Sequence, residues 1–132
     1  MTLVDTSVWV DFFAGRSSPH VATLEALIVD EDICLCGVVL TEILQGIRDD
    51  KDYRATRRYL EPLTILPMTS KTFIAAADLY RLLRRRGVTV RKPIDCMIAA
   101  TAIEHGVELL QNDRDFAGIA RHCELTLTAY RP

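Results

Sequence analysis

Short apolar runs alternate along the chain with longer stretches in which apolar and polar residues mix. The short runs are Leu3–Val4, Ile33–Cys36, Ile65–Leu66, Glu108–Leu110 and Leu125–Leu127. Their length and aliphatic content predict strands. Between them, apolar positions recur at helical spacing and stop at helix-breaking residues. This predicts helices over Val8–Phe13 (stopped by Gly15), Val21–Val29 (opened by Ser17, Ser18 and Pro19) and Val38–Ile47 (stopped near Gly46). Further helices are expected over Tyr53–Leu60, closed by Pro62, and Thr72–Arg86, ended by Gly87. Ile94–His105 is ended by Gly106, and a short helix covers Phe116–Arg121.

Strands alternating with helices call for an α/β fold. The expected architecture is three layers, α/β/α, with a central parallel sheet of about five short strands covered on both faces. In such sheets, functional groups gather beyond the carboxyl ends of the strands, near the point where strand order reverses.

The 132 residues suffice for one domain with a real core, taken as 1–132, and no repeat or linker divides them. The longest apolar stretches, Ile33–Leu40 and Cys96–Ile103, fall far short of a membrane span. No basic segment leads into an apolar run at the N-terminus, so a cytoplasmic protein without a membrane partner is expected. Cys34, Cys36, Cys96 and Cys123 form no CxxC-type pair and read as reduced core residues. Net charge is −2, which excludes nucleic-acid binding driven by overall positive charge. Basic residues nevertheless cluster at Arg81, Arg84, Arg85, Arg86, Arg91 and Lys92, and again at Arg54, Arg57 and Arg58. The cluster Arg81–Arg86 suits the dipole at the end of a long helix and also offers surface to a phosphate backbone.

Acids recur where a parallel sheet would gather them. Asp5 follows the first strand, and Glu42 lies in the helix after the second. Asp95 sits in the first turn of the helix before the fourth strand, while Asp113 and Asp115 follow that strand. From Pro93 to Ile103, Asp95 is the one charged residue on a helix apolar nearly all round. Such a helix is buried, and a buried carboxylate must be paired, hydrogen-bonded or metal-bound. Each acid taken singly has an ordinary role: an Asx turn for Asp5 and Asp113, a solvated face for Glu42, a dipole-favoured helix start for Asp95. Taken together, they could not all stay ionised at one place without a cation. Oxygen ligands select Mg²⁺ or Mn²⁺ over zinc. No nucleophilic triad, Walker A loop or GxGxxG is present, which leaves metal-assisted hydrolysis. A nucleic-acid-binding module with a structural ion stays open as an alternative. A phosphoacceptor receiver domain ranks lower, because no lysine follows Lys92.

Four segments carry a family resemblance. Asp5-Thr6-Ser7-Val8-Trp9, Thr41-Glu42-Ile43-Leu44-Gln45-Gly46, Pro93-Ile94-Asp95-Cys96-Met97-Ile98-Ala99-Ala100 and Leu110-Gln111-Asn112-Asp113-Arg114-Asp115-Phe116 resemble, in order and spacing, the motifs of PIN-domain ribonucleases of the VapC toxin family. The resemblance implies a Mg²⁺- or Mn²⁺-dependent endoribonuclease acting on single-stranded or loop RNA. It makes Asp5, Glu42, Asp95 and Asp113 metal-site and catalytic residues, with Asp115 as a further metal ligand. Thr6 and Asn112 would orient an acid or a water. It also implies a homodimer and a cognate VapB-type antitoxin that forms a toxin–antitoxin hetero-oligomer and covers the acidic pocket. Trp9, Phe12, Phe13 and Tyr59 are candidates for that groove, although aromatic residues at helical spacing usually pack inward.

Overall fold

A computed structural model describes residues 1–131. In chain order, the elements are β1 (Thr2–Val4), α1 (Thr6–Phe13), α2 (Pro19–Val29), β2 (Ile33–Cys36), α3 (Gly37–Gln45), α4 (Asp50–Leu60), β3 (Ile65–Leu66), α5 (Ser70–Arg85), α6 (Ile94–Glu104), β4 (Glu108–Leu110) and α7 (Arg114–Ala120). The strands run parallel in the order β3-β2-β1-β4. Every residue of β1 and β2 is buried. Successive strand residues face opposite sides, so both faces of the sheet are covered, as the unbroken apolar runs anticipate.

The expected fifth strand is reduced to a single bridge. Leu127 pairs in parallel with Leu109, and the ladder consists of Leu109 N–H donating to Thr126 and Thr128 N–H donating to Leu109. The apolar triplet Leu125–Leu127 therefore packs beside β4 without extending the sheet. Only Leu125 of the three is buried, so too little apolar surface is covered to fix a full edge strand.

Several helices begin earlier than their apolar periodicity indicates, because their first turns are polar and capped. Asp5 caps α1 by accepting from Ser7 N–H, Ser18 caps α2 from Val21 N–H, and Asp49 caps α4 from Asp52 N–H. Asp113 caps α7 in the same way, from Asp115 N–H. In α5, Thr69 and Thr72 form a reciprocal capping box, and the hydroxyl of buried Thr72 also donates to Glu104 at 2.6 Å. Two of these caps, Asp5 and Asp113, are residues singled out for chemistry.

The core joins the strands to the inner sides of the helices through Leu3, Val8, Trp9, Leu24, Leu35, Ile98 and Phe116, all essentially inaccessible to solvent. Helix α6 is buried nearly all round, including Cys96, Ile98, Ala99, Ala100 and Ala102. Cys34, Cys36 and Cys96 lie in this core as free thiols, and burial raises their pKa, so they are not reactive nucleophiles. Among the described residues, no helix is long and apolar enough to cross a membrane.

Candidate metal-binding active site

Strand order reverses beside β1. The chain leaves β1 for β2 and β3 on one side, and β4 returns to the other. The carboxyl ends of β1 and β4 are joined by Asp5 N–H donating to Leu110 at 2.9 Å. Asp5 and Asp113 therefore both follow strands that end at the switch point, where parallel sheets place ligands. The amino end of α6 brings Asp95 to the same edge.

Asp95, Asp113 and Asp115 each offer a carboxylate oxygen within 4.8 Å of the others. Asp5 and Glu42 lie outside that tight group, yet both add their negative charge to the environment of Asp95. Asp95 is 3% exposed. Its Oδ2 is buried without a hydrogen-bond partner. Burial chiefly, opposed by Lys92 and reinforced by the charges of Asp5, Asp113 and Glu42, pushes its pKa up to about 7. An acid in this position gains from a bound cation, which would offset both its burial and the neighbouring like charges.

The surrounding acids are individually held. Oδ2 of Asp5 accepts from both the N–H (3.0 Å) and the hydroxyl (2.6 Å) of Ser7. Its pKa is raised, because burial outweighs those bonds. Glu42 is half-buried, and its Oε1 accepts from the hydroxyl of Thr6 at 2.9 Å. Asp113 uses Oδ1 to cap α7 and Oδ2 to accept from Lys92 Nζ at 2.6 Å. Burial raises its pKa, but the Lys92 and Asp115 hydrogen bonds and the charges of Lys92 and Arg91 more than offset this and leave it below the ordinary value. Asp115 is gripped by Arg91 through Nε and Nη2 at 3.0 and 2.8 Å.

Asn112 is placed differently from an acid-orienting amide. Its side chain points to Asp11, with Nδ2 at 3.4 Å from Oδ2, and only its backbone N–H enters the site, donating to Ser7 Oγ. Asp11 in turn contacts His20 and Arg16 and forms part of the support behind the site. Two residues that organise the pocket escaped the reading of the sequence. Ser7 stands two residues after Asp5 at a strand-to-helix junction, which is the position of an Asx-turn donor. Lys92 stands one turn before Asp95 and was visible only as one cation in a basic run.

The oxygen-only donor set and the orphaned Asp95 Oδ2 both fit a hard divalent cation. Beside Glu42 a groove of about 510 Å³ runs between α1, α3 and α4, lined by Val10, Phe13, Ile43, Gly46, Ile47 and Ala55. Trp9 is fully buried, while Phe13 and Tyr59 are 37% and 40% exposed and pack edge to face. The aromatic residues are thus divided between core and surface.

The chain matches the PIN domain over residues 2–122. It is 38% identical over 134 aligned residues to ribonuclease VapC11 of Mycobacterium tuberculosis and to a VapC ribonuclease of Mycobacterium bovis, covering 99% of this chain and all of each relative. Among solved structures, it superposes on VapBC2 of Rickettsia felis bound to a promoter DNA fragment with a TM-score of 0.79 at 20% identity, over 98% of both chains. FitAcB of Neisseria gonorrhoeae gives 0.78 at 23% identity, over 98% of this chain and 97% of that one. At those identities the structural likeness speaks to the fold, whereas the sequence match runs end to end. The acids at the sheet's switch point thus sit in a fold and a sequence whose likeness points one way: this chain belongs to the PIN-domain family, among the VapC ribonucleases.

Proposed function

We propose that the chain is the toxin of a type II toxin–antitoxin pair, a metal-dependent endoribonuclease that hydrolyses phosphodiester bonds of single-stranded or loop RNA. The observation that carries this reading is the buried, unpartnered Oδ2 of Asp95 facing the carboxylates of Asp113 and Asp115, with Asp5 and Glu42 adding like charge. Carboxylates clustered in this way repel one another and favour a cation.

Asp5, Asp95, Asp113 and Glu42 would hold Mg²⁺ or Mn²⁺, with Asp115 at the margin because Arg91 already claims it. When bound, the ion lowers the pKa of a water and neutralises charge on the phosphate. Ser7 fixes the direction of Asp5 through Oδ2 and leaves Oδ1 without a side-chain hydrogen bond among the described residues. Thr6 holds Glu42 through Oε1. Asn112 contributes through its backbone, as the residue that pins Ser7.

The named relatives are ribonucleases, and one solved structure of the same fold is a toxin–antitoxin complex from Klebsiella pneumoniae. A cognate VapB-type antitoxin, homodimer formation and a toxin–antitoxin hetero-oligomer belong to the same proposal, as do a cytoplasmic location and the action of 1–132 as one domain. The groove beside Glu42, lined by Phe13 with Tyr59 packed against that ring, is the surface on which an antitoxin segment would reach the acids.

The deciding experiment incubates the purified chain with an RNA that has both stems and single-stranded loops, in Mg²⁺, Mn²⁺ or EDTA, beside Asp95→Asn. Metal-dependent cuts lost in the variant establish the reading. Retention of the RNA without cutting in any metal, in a preparation shown to be free of antitoxin, replaces it with a binding module.

A further inference from the structure

Lys92 lies in the segment between α5 and α6, directly before Pro93. Its Nζ is 2.6 Å from Oδ2 of Asp113 and 4.0 Å from the orphaned Oδ2 of Asp95. Asp5 is close enough to act on it as well. The ammonium therefore stands at the mouth of the acidic cluster, against two of the oxygens a divalent ion would need. A metal ion binds carboxylate oxygens at about 2.0–2.2 Å and carries twice the charge of the ammonium. Both cannot hold Asp113 Oδ2 in this position, because the two cations would repel at contact distance.

The rest of the geometry makes the ammonium the mobile partner. Asp113 is fixed through its helix cap, and Asp95 is locked into the buried first turn of α6. The Lys92 side chain is 50% exposed, sits on a non-helical segment and has a solvated path outward. Neighbouring Arg91 is differently placed, since it engages Asp115 through two nitrogens.

We propose that Lys92 is a tethered counter-cation that neutralises the acidic site before a divalent ion binds, competes with that ion, and is expelled to the rim when it arrives. The proposal rests on the metal-site reading above and adds a gate to it. It makes metal occupancy harder at low divalent concentration.

The test uses Mn²⁺ as the probe and needs no RNA. Mn²⁺ affinity is measured by titration calorimetry for the intact chain, Lys92→Met, Lys92→Gln, Lys92→Arg and Asp95→Asn. Arg86→Met, which removes an exposed cation whose polar partner is His122, controls for long-range charge. Lys92→Met and Lys92→Gln are expected to bind Mn²⁺ about tenfold tighter, with Lys92→Arg and Arg86→Met within about twofold of the parent. A second readout follows displacement itself. The chain has three lysines, Lys51, Lys71 and Lys92, so amine acetylation resolved by mass spectrometry reports each one. Mn²⁺ is expected to speed labelling of Lys92 severalfold while Lys51 and Lys71 stay constant. Unchanged or weaker Mn²⁺ binding in both neutral variants, or Lys92 labelling indifferent to Mn²⁺, overturns the proposal. Tighter binding in the neutral variants without RNA cleavage by the parent sinks the nuclease reading and leaves the gate standing. Cleavage with unchanged affinities does the reverse.

Discussion

The backbone N–H of Asn112 donates to the hydroxyl of Ser7 at 3.0 Å, joining two residues 105 positions apart in the chain. The same hydroxyl gives its proton to Asp5 at 2.6 Å. A serine hydroxyl has one proton and two lone pairs, so both bonds are satisfied at once. The carboxyl ends of β1 and β4 are thereby latched together, and the direction of Asp5 is set by the strand next to its own.

Replacing Ser7 with alanine removes the side-chain latch and leaves Asp5 with backbone N–H donors alone. RNA cleavage is expected to fall about 10- to 100-fold, the usual cost of losing a group that orients a metal ligand. Stability is expected to drop by only about 1 kcal/mol for one hydrogen-bonded pair. Rates at saturating Mn²⁺ beside a denaturant melt separate the two effects. A rate loss no larger than the stability loss accounts for would show that Asp5 keeps its direction without Ser7.

Asp95→Asn should be inactive yet more stable than the parent when no metal is present. Burial raises the folded pKa of Asp95 to about 7, well above its value in the unfolded chain. Its favourable contribution is therefore complete below the unfolded pKa near 4 and is lost as pH rises through 7. Asparagine does not titrate. In EDTA the gain of the variant is expected to be greatest above pH 7, on the order of 2 kcal/mol or a few degrees in Tm, and to shrink steadily toward pH 4. Melts across pH 4–8 measure this directly, and a gain that grows on acidification contradicts the placement of Asp95.

Asp11 titrates in the opposite sense. The bond to His20 first, and the pair with Arg16 as well, hold its pKa below the ordinary value against the effect of burial. Its stabilisation is present above the unfolded pKa near 4 and disappears as pH falls through the lower folded value. Asp11→Asn is expected to cost about 1 kcal/mol at neutral pH, with the deficit closing below pH 4. An acid-denaturation series on both proteins reads the convergence.

Phe13 lines the groove, and partly exposed Tyr59 packs edge to face against it. Phe13→Ala with Tyr59→Ala should leave RNA cleavage near the parent rate and weaken inhibition by the cognate antitoxin by about tenfold or more, as expected for aromatic anchors. Inhibition curves at fixed toxin concentration test this. Full inhibition at the parent's antitoxin concentration would place the antitoxin elsewhere.

Much of the architecture was legible before any coordinates. β1 and β2 are short and apolar without alternation because both faces of the sheet are covered, so burial alone wrote them into the pattern. Helix α6 shows no apolar stripe because it is buried on nearly all sides, which is why Asp95 stood out. The acids after β1 and β4 were readable as turn residues at strand ends, where parallel sheets carry their chemistry. The family resemblance then assembled into one site acids that no local argument could join.

What the chain by itself determined, then, was the kind and order of its main elements and the acids that follow β1 and β4. Burial and helix or strand periodicity are local properties, repeated every two to four residues. Tertiary structure alone decided which strand lies beside which, and with it the latch between Ser7 and Asn112. It also decided that Asn112 turns its side chain to Asp11, that Leu125–Leu127 makes one bridge instead of a strand, and that Lys92 reaches into the acids while Arg91 takes Asp115. These outcomes depend on chain closure over tens of residues and on competition among nearby charges for a few oxygens. Neither leaves a periodic trace in the order of the residues.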